Sequence, residues 1–257
     1  MVFDLWKGNF SMLAVSAILP EHTTNHPSII LVHGAANSGR VWTFWQRALA
    51  EQGWASYAID LRGHGQSVAV DLSHIGMSDY AADVRTLAGQ FKHPPVVMGW
   101  SMGGLVALMA AADGVAAACV ALAPSTPARQ RNAGVTLRTG EFGPEEYGIT
   151  SDDPEQQPAM PDLDREERLI ALASLSRESR LARDERQAGI VIASLPCPLL
   201  LITGTADRAW PRERYTDLWL AADYVSVEGA SHWGLVLNRR ALATMVPAVV
   251  QWLVQCG

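Results

Sequence analysis

Ser101 lies in the pentapeptide Gly99-Trp100-Ser101-Met102-Gly103, a G-x-S-x-G pattern between an apolar run (Val96, Val97, Met98) and a helix-forming one, Gly104 to Ala112. In a strand–turn–helix setting this pattern makes an elbow that presents the serine hydroxyl above a sheet. The flanking glycines stand where any Cβ would collide with the approaching helix. A serine hydroxyl is a weak nucleophile near neutral pH, so it needs a base within hydrogen-bond reach and a third group to orient that base. Of the seven histidines, His22 and His26 fall in an early turn, His74 and His93 in connections, and His33 and His64 each precede a glycine in a tight loop. His232 differs. It follows the last predicted strand, downstream of Asp207, which itself follows the strand before. Ser101, Asp207 and His232 in that order suit covalent acyl chemistry, with His232 as base and Asp207 as its orienting acid. The inert alternatives are a glycine-rich turn at 99–103, an Asx-turn at Asp207 and a solvated His232.

Acyl chemistry also needs two N–H donors for an oxyanion. Met102, just after the nucleophile at the start of a helix, supplies one; the loop after the His33 strand supplies the other, most simply through Ala35. Three tryptophans adjoin these positions: Trp100 before the nucleophile, Trp210 three residues after the acid and Trp233 after the base. Large rings there suit an apolar part of a substrate and keep water out. With nine tryptophans in the chain, packing alone explains them equally well.

The elements that must position these residues follow from periodicity. Residues 11–19, 28–32, 54–59 and 115–123 read as strands, and 39–52 as a helix closed by Gly53. Ser78 is placed to cap a helix whose face is Tyr80, Val84, Leu87 and Phe91. Strand and helix alternate with short connections, which predicts a mostly parallel sheet with helices on both faces. Functional loops then lie beyond the C-terminal strand ends, where His33, Asp60 and Ser101 fall. The pattern resumes after Pro196-Cys197-Pro198. Strand 199–203 leads to Asp207, and Pro211 opens a helix carrying Tyr215, Leu218, Trp219 and Ala222. Strand 224–227 leads to His232, and a last helix, 239–255, is kinked at Pro247.

Between these halves the composition changes. Segment 126–192 holds 13 acidic residues and 9 arginines, 22 of the chain's 46 charges. Its first half reads as irregular, followed by two amphipathic helices, 162–175 and 176–187, with narrow apolar faces (Leu163, Leu169, Ile170, Leu172, Leu181). It is expected to be an inserted cap over a core formed by 1–125 and 193–257. Its arginines are outnumbered by acids and read as a solvated face, not as a site for a substrate carboxylate.

Length and composition set outer bounds. At 257 residues with 49% apolar and 18% charged, the chain suits one large α/β domain with an ample core. A net charge of -6 argues against nucleic acid or an anionic membrane as partner, and leaves a small-molecule substrate as the expected one. Oligomeric state is open. Cys119, Cys197 and Cys256 lie far apart without a CxxC, so neither zinc nor a disulfide framework is expected. No metal or cofactor is called for. The opening MVFDLWKGNF does not read as a signal peptide, and no apolar run reaches about 18 residues, so the expected location is cytoplasmic.

Four stretches carry a family resemblance: Leu31-Val32-His33-Gly34, Asp60-Leu61-Arg62-Gly63-His64-Gly65-Gln66-Ser67, Gly99 to Gly104, and Gly204-x-x-Asp207 with His232. Together they make the chain resemble the α/β-hydrolase fold superfamily, in its serine-nucleophile, esterase- and lipase-like branch. The resemblance implies an eight-stranded, mostly parallel sheet with a cap inserted after the sixth strand. It also implies a mechanism in which Ser101 attacks a carbonyl, His232 relays the proton, and Met102 and Ala35 hold the oxyanion. His64 and Arg62 would be structural members of their loop. Serine at the elbow speaks against the dehalogenase and epoxide-hydrolase branches. The expectation is a hydrolase of a carboxylic ester or lactone with a small to medium, partly apolar substrate. The rivals are a slow or non-catalytic ligand sensor and an acyltransferase or perhydrolase using the same three residues.

Overall fold

A computed structural model describes residues 12–256; the opening decapeptide lies outside the described residues. The chain begins with β1 (Ala14–Ile18), β2 (Ile29–Val32), α1 (Thr43–Glu51), β3 (Ser56–Asp60), α2 (Met77–Ala88), β4 (Val96–Trp100), α3 (Met102–Ala112) and β5 (Ala118–Leu122). It then leaves the sheet through β6 (Glu141–Phe142), α4 (Arg165–Ser174), β7 (Glu178–Ser179) and α5 (Arg180–Ala188). It returns as β8 (Leu199–Gly204), β9 (Asp223–Val227), α6 (Gly234–Leu237) and α7 (Arg239–Cys256). The main sheet runs β1-β3-β2-β4-β5-β8-β9, with β1 antiparallel to β3 and every other pair parallel. Among the described residues it has seven strands, where the resemblance implies eight.

The central strands are continuous apolar runs because both faces are covered. Every residue of β2, β4, β5 and β8 is buried. Alternation divides β4 between two cores. Val96, Met98 and Trp100 join Trp42, Trp45 and the α7 residues Met245 and Val249 on one face. Val97 joins Tyr80, Val84 and the α3 residues Leu105 and Leu108 on the other. Among the described residues, no helix is long and apolar enough to cross a membrane.

Several local expectations are corrected. Helix α2 starts two residues earlier than a Ser78 cap requires: Gly76 is the N-cap, and its N–H donates 2.9 Å to Oδ2 of Asp79, so Ser78 lies inside the first turn. The helix expected after Pro211 is a single 3₁₀ turn, Arg212–Tyr215. Tyr215 donates its hydroxyl to Pro124 O at 2.7 Å and Trp219 its indole N–H to Ile192 O at 2.8 Å. Both anchors pull the segment onto the core in a register that a continuous helix would not keep. Leu169, assigned to a buried face of the first excursion helix, is 41% exposed. Pro247 falls inside helix α7, where the sequence places it, and removes one N–H from the helix ladder.

Candidate active site

Strand β4 and helix α3 meet at Ser101, whose backbone has φ 57° and ψ -119°. A residue with a Cβ rarely adopts a positive φ, and such strain persists only where the surroundings over-determine it. Here they do. A Cβ on Gly99 would run into the carbonyl of Gly103, and one on Gly103 into the carbonyl of His33. Strand, turn and the neighbouring loop are therefore packed backbone to backbone. The amide of Ser101 donates to Leu122 O at 2.9 Å, fixing the turn to β5.

The C-terminal ends of β8 and β9 bring the acid and the imidazole together. His232 Nδ1 and Asp207 Oδ2 are 2.7 Å apart, with the Asp207 carboxylate wholly buried. The other oxygen, Oδ1, accepts the amides of Ala209 and Trp210, each at 2.9 Å. Burial pushes the Asp207 carboxyl up, but the hydrogen bond and charge of His232, with these amides, outweigh it and hold it below the usual range. With Nδ1–H given to Asp207, Nε2 of His232 is left as an acceptor.

Ser101, Asp207 and His232 all line one cavity of about 750 Å³. Among the described residues no direct hydrogen bond joins Ser101 Oγ to His232, a link that often tightens only with substrate bound. Ala35 also lines the cavity, whereas the side chain of Met102 is fully buried. Only the Met102 amide can serve the site, and as the first residue of α3 it is among those a helix leaves unpaired.

All three tryptophans line the cavity as well. Trp100 is the most committed: its indole N–H donates to His232 O at 3.0 Å, and its ring lies 5.0 Å from those of His232 and Trp233. Trp210 contributes its amide to Asp207 and carries Arg214 over its face at 4.8 Å.

The other histidines of the strand-end loops are tied into structure. Buried His33 donates from Nδ1 to Gly34 O at 2.8 Å and accepts the Leu61 amide at Nε2, 3.1 Å. Burial, reinforced by nearby His64, lowers it to about 3 and keeps it neutral. Arg62 pairs with Asp79 and Asp83.

One buried residue of the excursion has no counterpart in the expectations. Glu178 accepts the Tyr80 hydroxyl at 2.6 Å, the Ser179 amide at 2.7 Å and the Ala36 amide at 3.0 Å, and lies 3.5 Å from His64 Nε2, an ion-pair distance. Burial opposes its ionisation, yet His64, Arg186 and Tyr80 together bring it down to about 2. Asp162, also of the excursion, accepts the Ser231 amide at 3.0 Å, beside His232. Apart from the adjacent Ser179, these hydrogen-bond partners lie 69 to 142 positions away and leave no local sequence signal for either residue.

The model of the alpha/beta hydrolase family matches residues 29–245, which contain every strand of the main sheet except β1. The chain belongs to the alpha/beta hydrolase family. Over 83 residues it is 31% identical to a pimeloyl-[acyl-carrier protein] methyl ester esterase of Aliivibrio fischeri, covering 32% of this chain and 30% of that protein. Over 96 residues it is 34% identical to a 2-succinyl-6-hydroxy-2,4-cyclohexadiene-1-carboxylate synthase of Salmonella agona, covering 36% of each. The chain thus spans about a third of the length of the curated relatives it matches. A thermophilic esterase from Thermogutta terrifontis superposes with a TM-score of 0.66 at 18% identity, over 95% of this chain and 93% of that one. At that identity the likeness is one of fold.

Proposed function

We propose that this protein hydrolyses a carboxylic ester or lactone of a small to medium, partly apolar substrate through an acyl-enzyme on Ser101. The observation that carries the reading is the hydrogen-bonded Asp207–His232 pair facing the same cavity as a serine held at φ 57°. His232 Nε2 takes the proton of Ser101 Oγ as that oxygen bonds to the substrate carbonyl. The oxyanion is received by the amides of Ala35 and Met102. On collapse, the ester C–O bond breaks and the leaving alcohol takes the proton from His232. A water then gives its proton to His232, attacks the acyl carbon and releases the acid and Ser101. Asp207 keeps the imidazole in one tautomer and stabilises its cation.

In this reading segment 126–192 is a cap over the strand ends. Pro144, Ile149, Ala159 and Leu175 from it line the cavity, and with Trp100, Trp210 and Trp233 they supply an apolar, water-poor wall. Relatives named as methyl ester esterases favour ester chemistry over the sensor alternative. The test is Ser101→Ala assayed with a short-chain p-nitrophenyl ester. Turnover is expected to vanish with the melting temperature preserved, and the parent protein to be labelled at Ser101 by a fluorophosphonate. Turnover retained by Ser101→Ala overturns the reading.

A further inference from the structure

Five of the nine arginines in the excursion pair with carboxylates: Arg138 with Asp184, Arg165 with Glu155, Arg177 with Glu141, and Arg180 and Arg183 with Glu146. Arg186 is not among them, and its place in the fold sets it apart. Of the nine in segment 126–192, Arg186 alone lines the cavity that holds Ser101 and His232. Its guanidinium donates to Tyr147 Oη at 3.1 Å and weakly to Ala182 O at 3.4 Å. Among the described residues no carboxylate oxygen lies within 4.0 Å of it. A guanidinium carries five N–H donors, so most of its capacity is unspent.

Glu178 and Arg186 attract one another through space, but no hydrogen bond or ion pair joins them among the described residues. That carboxylate is already engaged by Tyr80, Ser179, Ala36 and His64. Arg186 is thus left, among the described residues, without a direct carboxylate partner while its side chain lines the cavity. A half-buried cation in a mostly apolar cavity is stabilised by an anion arriving with the ligand. Tyr147, which also lines the cavity, accepts from Arg186 and so keeps its own O–H free to donate to the same anion.

The geometry points to Arg186, with Tyr147, as the subsite for a carboxylate carried by the substrate: an ester of a dicarboxylic acid with its second carboxyl free. The assignment rests on the ester-hydrolase reading and narrows its substrate class. A planar guanidinium receives a carboxylate through two parallel N–H···O bonds, which orients the substrate as well as holding it.

Monomethyl glutarate and methyl pentanoate differ only in a carboxylate for a methyl group, and either releases methanol. The parent enzyme is expected to favour the monoester in kcat/KM by about 10- to 100-fold, the worth of a charged hydrogen-bond pair. Arg186→Met is expected to collapse that ratio toward one; general damage to the enzyme cancels in it. Should Arg186→Met fail to fold, Tyr147→Phe carries the test, with the ratio falling several-fold. A parent enzyme indifferent to the carboxylate, or an Arg186→Met that keeps the preference, overturns the assignment. If neither ester is turned over, calorimetry with glutarate decides the subsite independently of the hydrolase reading, which the Ser101→Ala assay tests. Binding to the parent that is lost in Arg186→Met upholds the subsite, and no binding to the parent overturns it.

Discussion

The indole N–H of Trp100 donates to the backbone carbonyl of His232 at 3.0 Å, joining the residue before the candidate nucleophile to the candidate base. The two are 132 positions apart in the chain, so this bond closes the site across the sheet. Trp100→Phe keeps most of the ring and removes the donor, leaving a carbonyl unpaired. A loss of about 1 kcal/mol in stability is expected. Steady-state kinetics should show kcat reduced several-fold, because the base is loosened, beyond whatever change in KM the smaller ring in the cavity wall brings. A variant altered in KM alone would make Trp100 a pocket wall and nothing more.

Ser101 holds a backbone conformation that costs of order 1–3 kcal/mol in a residue with a Cβ. Glycine is free of that cost but loses about 0.5–1 kcal/mol through the entropy of its unfolded chain. Ser101→Gly should therefore melt higher than Ser101→Ala, though neither turns over ester. Paired thermal melts decide this.

Asp207→Asn preserves Oδ1, and with it the bonds from Ala209 and Trp210. The amide nitrogen then faces His232 Nδ1 and turns the ring to the tautomer whose Nε2 carries hydrogen. A fall in kcat of about 10³–10⁴ is expected, with the melting temperature nearly constant. Parallel losses of stability and rate would mean that the carboxylate acts through the fold.

Two buried histidines give stability a maximum in pH. His33 is lowered to about 3, so the unfolded chain binds its proton first and stability is lost as pH falls below about 6.5. His64 is raised: burial opposes its charge, but Glu178, the Arg62 carbonyl and Asp60 outweigh that. Its contribution is complete below about 6.5 and is lost as pH rises through its folded value, by about 1.4 kcal/mol per pH unit across that window. Glu178, at about 2, adds stability above about 4.3 that fades only in strong acid. Urea unfolding at a series of pH values should peak near neutrality on the acid side. His64→Gln should flatten the alkaline limb and His33→Gln the acid limb. Limbs unchanged in either variant would place the titration elsewhere.

The fold was legible wherever a local pattern was also the global one. Ile29–Val32 reads as a strand buried on both faces because four consecutive apolar residues allow little else, and it is fully buried. The elbow was legible because its glycines answer to a steric demand that Gly99 and Gly103 meet at identifiable carbonyls. Legibility failed where a distant anchor overrode local preference. Tyr215 and Trp219 carry helical spacing, yet their hydrogen bonds to Pro124 and Ile192 hold the segment in another path. In the site, Ser101, Asp207 and His232 could be nominated from order and strand ends. Glu178 could not, being one of 13 acids in a segment whose charges look interchangeable on paper.

Glu178 also limits how the excursion could be exchanged. Its carboxylate holds the amide of Ala36, a non-glycine residue at φ 55°, while the Ala36 carbonyl accepts the Ser176 amide at 2.9 Å and Ser174 Oγ donates to Asn37 Oδ1 at 2.8 Å. The loop after β2 is thus moulded by the segment that lies over it. Grafting the corresponding segment of a relative onto this core would transplant more than a substrate wall. Without an acceptor at position 178, the recipient loop would lose the mould that shapes its turn at Ala36.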